Sequence, residues 1–201
     1  MQFIFDCSIS NYIEQEKGKE VAVPILNSCP NPYCKINVAP KKHGGYERYS
    51  LSEQYQGHIY IHRRYCPYCG KTFSFLPSFC VPYFQYALHV IIEVLICAFK
   101  NDISYKKILA YIWMKFNILF SKQHISFYCN RFTSNLSFVQ TILRSINPLV
   151  KLPDAHLTKN KKAKKVITTI KNLFPASHSF SEQFFKASNQ SFLATHHFIS
   201  V

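Results

Sequence analysis

Two pairs of cysteines constrain this chain more than anything else in it: Cys29 and Cys34 in "CPNPYC", and Cys66 and Cys69 in "CPYCG". Zinc takes four soft ligands at the corners of a tetrahedron, each thiolate about 2.3 Å from the ion. Two intervening residues let one tight turn deliver two sulfurs to the same side of it. Gly70, directly after Cys69, supplies the backbone freedom that lets peptide N–H groups point at the thiolates. The second pair is a strong ligand signature. The first has a wider gap, and the two pairs stand further apart than in a compact ribbon. A set of buried thiols is the competing reading, and His43, His58 or His62 can replace one cysteine as ligand. Four thiolates leave no open position for a catalytic water, so the expected Zn2+ is single and structural, supporting a sheet too small to build a sufficient core alone. Cys7, Cys80, Cys97 and Cys129 lack partners at ligand spacing or sit on apolar helices, and read as small core residues.

The residues around the second pair alternate as strands do. In "GHIYIHRRYC" Ile59, Ile61 and Arg63 alternate with His58, Tyr60 and His62, and in "KTFSFLP" Phe73 and Phe75 alternate with Thr72 and Ser74 until Pro77. The Cys66–Cys69 turn is then the tip of a hairpin, and "YERYSL" after a Gly44-Gly45 turn is a third strand. Beyond "LPSFCVP" the period becomes helical. Phe84, Leu88, Ile91, Ile92, Leu95 and Phe99 share one face, and Asp102 or Ser104 caps a second helix with Ile108, Leu109, Ile112 and Phe116 inward. Ser121 caps a third, and Leu136, Val139, Leu143 and Ile146 mark a fourth that ends before Pro148. The expected class is α+β: an N-terminal zinc ribbon with a small antiparallel sheet, then an all-α, helix-turn-helix-like bundle and a basic tail. The boundaries are 1–22 for an N-terminal extension, 23–80 for the ribbon, 81–147 for the helical domain and 148–201 for the tail. "TKNKKAKK" reads as a basic arm or a solvated linker. The Ser- and Phe-rich end reads as partly disordered, or as a short packing helix around "SEQFFKAS".

Charge suggests the partner. The 201 residues carry 24 Lys plus Arg against 10 Asp plus Glu, a formal net charge of +14, which suits a polyanion. Residues 104–116 and 121–133 are the expected helix-turn-helix pair, although the connection "MKFNILF" is long and lacks glycine. With Ile125 and Tyr128 inward, Lys122, Gln123, Ser126, Asn130 and Arg131 face out, where Gln and Asn pair with adenine and Arg with guanine or phosphate. On the ribbon, Arg48, Arg63, Arg64 and Lys71 stand among tyrosines as contacts to phosphates, sugars or bases. The apolar stretch Ala87–Phe99 is too short to span a bilayer and carries His89 and Glu93, so no membrane association is expected. Without a secretion signal at the start, the expected compartment is the cytoplasm, where thiols stay reduced.

Catalysis is not expected. Two-metal DNA chemistry needs several carboxylates, and after Asp102 only Asp154 and Glu182 follow. His196-His197 lacks the His-hydrophobic-His spacing of a single-strand nickase. There is no Gly-rich phosphate loop and no Gly-x-Ser-x-Gly elbow.

From about Cys29 to Phe132 the chain resembles bacterial mobile-element proteins with a zinc-ribbon head and a helix-turn-helix. The carrying residues are "CPNPYC", "HRRYCPYCGKTFSFLPSFCVPY" and "ISYKKILAYI". "RRYCPYCGKTFS" in particular looks like the heads of insertion-sequence transposases. The resemblance implies Cys29, Cys34, Cys66 and Cys69 as zinc ligands and binding of element DNA as a duplex. A homodimer or a transposition-related protein is the further partner considered. The chain departs from that pattern in having no catalytic domain. The alternatives are a zinc-ribbon module that binds another protein, and an RNA binder whose tyrosines stack on unpaired bases.

Overall fold

Alternating strands and amphipathic helices have to bury their apolar sides against one another. The computed structural model, which describes residues 2–34, 36–99, 103–153 and 156–194, solves this with one small sheet and a helical layer. The class is α+β. Strands β1 (Gln2–Phe5), β2 (Lys41–Leu51), β3 (Gln56–Tyr65) and β4 (Thr72–Pro77) form a sheet in the order β1-β4-β3-β2. β2, β3 and β4 are an antiparallel meander, whereas β1 lies parallel to β4, with Phe3 opposite Phe75. The sheet is therefore mixed, where an antiparallel one was expected. A strand from the chain's start has no hairpin to set its direction, and its neighbour was not legible from local pattern. Gly44 and Gly45 form no turn before a third strand. They sit inside β2, where the register slips between Lys42 and Gly45. Gly45 must be glycine because a Cβ there would lie 2.4 Å from the Ile61 carbonyl oxygen and the Tyr60 ring.

The expected N-terminal extension belongs to the fold. Helix α1 (Ile9–Glu14), capped by Ser8, lays Tyr12 into the core, and the Tyr12 hydroxyl donates to the Tyr60 carbonyl at 2.5 Å. Gly18 closes over the same ring: it has φ +97°, and a Cβ there would sit 2.1 Å from the ring. β4 is buried on both faces, with Phe73, Phe75 and Leu76 fully enclosed, which marks it as the centre of the sheet.

The helices are α2 (Leu88–Phe99), α3 (Tyr105–Phe116), α4 (Lys122–Ser134), α5 (Leu136–Ile146), α6 (Lys159–Leu173) and α7 (Ser177–Ser188). α2 buries Leu88, Val90, Ile91, Ile92, Val94, Leu95 and Cys97, and α3, α4, α6 and α7 all pack on it. No helix among the described residues is long and apolar enough to cross a membrane. Ser104 and Ser121 cap α3 and α4, accepting from Lys107 N and His124 N at 3.4 and 3.2 Å; Asp102, the other candidate cap, lies outside the described residues. α3 ends at Phe116 and α4 begins at Lys122, close to the expected pair 104–116 and 121–133, so "MKF" of the quoted connection is helical and Asn117–Ser121 joins the two helices. Asn117 then adopts the left-handed conformation a C-terminal glycine would otherwise take (φ 51°).

The segment from 148 is not an appended arm. α6 buries Ala163, Val166, Ile167 and Ile170 against α2, α4 and α5, and α7 packs on α2, α5 and β1. Phe174, Phe180, Phe184 and Phe192 form one aromatic cluster, in which Phe180 and Phe192 meet edge to face and the other contacts of Phe180 are tilted. Asn135, between α4 and α5, donates its amide to the carbonyls of Phe192 and Ala194 at 3.0 and 2.9 Å. One hydrophobic cluster runs from Phe5 to Leu193, so ribbon, bundle and tail share a core. His196 and His197 lie outside the described residues.

On α2, Glu93 accepts from the Tyr111 hydroxyl at 2.7 Å and from Lys115 Nζ at 3.1 Å. Burial alone lifts its pKa, but the two donors outweigh burial and the net shift is downward. A carboxyl with a depressed folded pKa stabilises above its unfolded pKa, and that stability is lost as pH falls through the folded value. Glu93→Gln is expected to cost under about 1 kcal/mol at neutral pH, since the Lys115 side chain is 42% exposed and the pair is screened by solvent. The cost shrinks as pH falls through the lowered folded pKa and the carboxyl is protonated in both states, and urea midpoints at neutral and acid pH measure the difference.

Candidate metal centre

The two cysteine pairs meet. β3 and β4 form a hairpin whose tip is Cys66-Pro67-Tyr68-Cys69-Gly70-Lys71. Cys66 N donates to the Lys71 carbonyl and Gly70 N to the Cys66 carbonyl, each at 3.0 Å. Gly70 has φ +66°, as the knuckle reading requires. The Cys29–Cys34 loop approaches this tip with Cys34 N donating to the Asn31 carbonyl at 2.9 Å. The four Sγ atoms all lie within 4.8 Å of one another, with Cys29–Cys69 at 3.6 Å and Cys34–Cys66 at 3.9 Å. This group can hold a metal ion. His43, His58 and His62, the candidate replacements, do not join it: the metal-ligating group contains the four cysteines alone. His62 instead pairs with the Gly18 carbonyl at 2.7 Å, and His43 and His58 pack on Tyr65 and Tyr49.

Packed so closely, Cys69 and Cys29 do not ionise alike. The Asn31 side chain, hydrogen-bonded to Cys69, leads the effects that lower that thiol to about 6. Burial is the main cause that pushes Cys29 up to about 12. Cys69 thus carries negative charge more readily than Cys29, and a cation among the sulfurs favours deprotonation of both. Asn31, almost fully buried, is a site residue that the cysteine spacing did not single out. Its signal was the turn composition Pro-Asn-Pro inside the first pair.

Cys29, Cys66 and Phe73 form their own small cluster, apart from the main core. A family model described as Domain of unknown function (DUF6431) matches residues 29–110. That stretch opens on Cys29 and takes in all four cysteines, β2, β3, β4, α2 and the first turns of α3. α4 lies beyond it. No curated protein and no solved structure matches the chain. Cys7, Cys80 and Cys97 are buried and Cys129 half-buried, as small core residues should be.

The cationic residues read from the sequence divide into two groups. Arg48 is spent inside the protein: its Nη2 donates to the Val81 carbonyl at 2.6 Å and to the Phe84 carbonyl, latching β2 to the segment that leads into α2. Arg64 is half-buried, with its guanidinium 5.9 Å above the Phe75 ring and a bond to the Pro40 carbonyl at 3.4 Å. Arg63 and Arg64 join Lys42 and His62, with Lys19 from the N-terminal segment, around an open cleft of about 500 Å³ in which Glu20 is the acidic lining residue. Lys19 was not singled out, because only the fold brings it to β3. Lys71 is exposed at the knuckle.

On α4, Ile125, Tyr128 and Phe132 are buried, and Lys122, Gln123 and Asn130 are exposed. Ser126 is half-buried beside them, and the Arg131 guanidinium lies 5.3 Å over the Phe127 ring. The four-cysteine cluster and this helix are at opposite ends of β3. Gln56, at the start of β3, donates to the Asn117 carbonyl in the α3–α4 connection at 2.9 Å, while Tyr65 at its end leads into Cys66. Strand rise separates these ends by about 30 Å.

Proposed function

We propose that this is a zinc-stabilised DNA-binding protein without catalytic activity, akin to the DNA-binding heads of transposases. The observation that carries the reading is α4: one face is locked into the core, and the opposite face presents Lys122, Gln123 and Asn130 from a chain of net charge +14. A rigid helix with amides and cations outward suits the major groove, where Gln and Asn pair with adenine and the cations meet phosphates. The cleft around Lys19, Lys42, Arg63 and Arg64 adds cationic surface on the sheet. Zinc fits the sulfur tetrad, since a tetrahedron with arms of about 2.3 Å has edges of about 3.8 Å; Cys29–Cys69 and Cys34–Cys66 stand at 3.6 and 3.9 Å, and all four sulfurs lie within 4.8 Å of one another. Bound there, zinc supplies no reaction; it ties the Cys29–Cys34 loop to the β3–β4 tip.

Fluorescence anisotropy with duplexes from the flanks of the protein's own gene and with scrambled duplexes, over a salt series, tests this. Specific binding is expected to survive moderate salt, and Gln123→Ala or Asn130→Ala to lose about 1–3 kcal/mol of discrimination. Equal binding to both duplexes, unchanged in the variants, would show that α4 reads nothing. A second reading, stacking on unpaired bases, rests on Tyr33 and Tyr68, each directly before the second cysteine of its pair and 82% and 62% exposed. It requires preference for single strands in the same assay.

A further inference from the structure

α6 carries Lys159, Lys161, Lys162, Lys164 and Lys165 in its first two turns and has no acidic residue along its length. As a helix this is an unfavourable arrangement. Cations at a helix N-terminus oppose the macrodipole, and like charges three or four residues apart repel. The N-cap, Thr158, makes no side-chain cap bond that would offset this. A face that only keeps a protein in solution mixes both signs and avoids such conflict. What holds α6 helical is its other side, where Ala163, Val166, Ile167 and Ile170 are buried in the shared core.

That docking decides where the lysines point. Helical spacing sets Lys161, Lys164, Lys165 and Thr168 opposite the buried stripe. There they meet Lys151 and the apolar Leu152, Pro153 and Leu157, lining a groove of about 610 Å³. Among the described residues that line the groove there is no carboxylate; Asp154 lies outside the described residues. Thr168 and Thr169 turn their hydroxyl protons back to the Lys164 and Lys165 carbonyls at 2.8 and 2.9 Å, so lysine ammonium groups are the main donors facing the groove. The apolar wall beside them reduces water access and strengthens their pull on an anion.

We infer that this lysine-lined face of α6 binds the phosphodiester backbone of duplex DNA, as an anchor separate from the α4 surface. The inference rests on the DNA-binding reading and deepens it. α6 packs beside α4 as well as α2 and α5, so both surfaces belong to one helical layer. Phosphate oxygens relieve the repulsion among the lysines and complement the helix N-terminus. The contact is blind to sequence, because ammonium groups on phosphates read no base.

The test compares the full chain with Lys161→Ala/Lys164→Ala/Lys165→Ala and with a control losing equal charge elsewhere, Lys17→Ala/Lys107→Ala/Lys186→Ala. Binding of a duplex, a scrambled duplex and a single-stranded RNA is followed by anisotropy from about 50 to 200 mM salt. The salt slope of the α6 variant is expected to flatten by about 0.9 per lost phosphate contact, nearly 3 in all, with affinity down at least about tenfold on both duplexes. Its thermal midpoint is expected to stay or rise, because repulsion has been removed, which separates lost contacts from lost folding. An unchanged slope with wild-type binding intact overturns the α6 assignment and leaves the α4 reading standing. An equal loss in the control reduces the effect to net charge and also overturns it. Tighter binding of the single-stranded RNA overturns the duplex assignment. If the wild-type chain binds no duplex at all, the DNA-binding reading itself has failed, and the α6 assignment with it.

Discussion

Cys66→Ser is expected to release the metal completely and to unfold one end of the molecule while the rest stays native. Structural zinc contributes on the order of 10 kcal/mol or more in small domains that cannot fold without it. Here the cysteine cluster, with Phe73, is a satellite of a much larger core that contains Ile59, Ile61, Phe75 and Leu76 of the same sheet. Only the part of the binding energy that orders residues 29–34 and 66–71 is coupled to local folding, so the loss is expected to be regional. Hydrogen exchange should show fast amides in those two stretches and slow ones along α2. Elemental analysis should find one zinc per wild-type chain and none in the variant, and chelation of the wild type should reproduce the exchange pattern. Full zinc in the variant would remove Cys66 from the ligand set. Loss of protection throughout α2 would mean that the metal supports the entire fold.

Phe132→Ala is the second large effect, and it addresses the C-terminal helices. Phe132 is fully buried on α4, with the Phe99 and Phe192 rings at 5.9 and 6.3 Å. Truncating a buried Phe costs about 3–5 kcal/mol, because the cavity it leaves is only partly refilled. That is a large share of the roughly 5–15 kcal/mol that holds a domain together. The lesion lies where α2, α4 and the segment after α7 meet, so sheet, bundle and C-terminal helices are expected to melt in one transition at a lower urea midpoint. Far-UV circular dichroism and the fluorescence of Trp113 on α3 should report the same curve. A loss below about 1 kcal/mol, or a separate early transition, would show instead that residues beyond 148 form a weakly attached unit.

Different features became legible at different distances along the chain. The strands β3 and β4 and the helices α2 to α5 follow from local period, since Ile59 and Ile61, or Ile108, Ile112 and Phe116, repeat at the spacing of their element. The caps Ser104 and Ser121 are local too. α7 was harder to read. Its Phe180 and Phe184 are one helical turn apart, but serines between them blur the stripe, and much of their burial comes from Phe174 and Phe192 on either side of the helix. Arg48 looked like a free cation because nothing near it in sequence announces the Val81 and Phe84 carbonyls.

The sequence by itself determined the four-cysteine cluster that can hold a metal ion, because few residues can perform that chemistry. Two thiol pairs, one beside a glycine with positive φ, leave few other arrangements, and Cys29, Cys34, Cys66 and Cys69 converge as their spacing predicted. It also determined the helical period of residues 88–146. Tertiary structure alone decided that β1 runs parallel beside β4, that Asn31 reaches Cys69, that Lys19 meets Arg63 and Arg64, and that the lysines of α6 stand on a docked helix. The physical reason is range. Ligand chemistry and helical period are written over a few residues, whereas each of these placements depends on burying apolar surface contributed by distant segments.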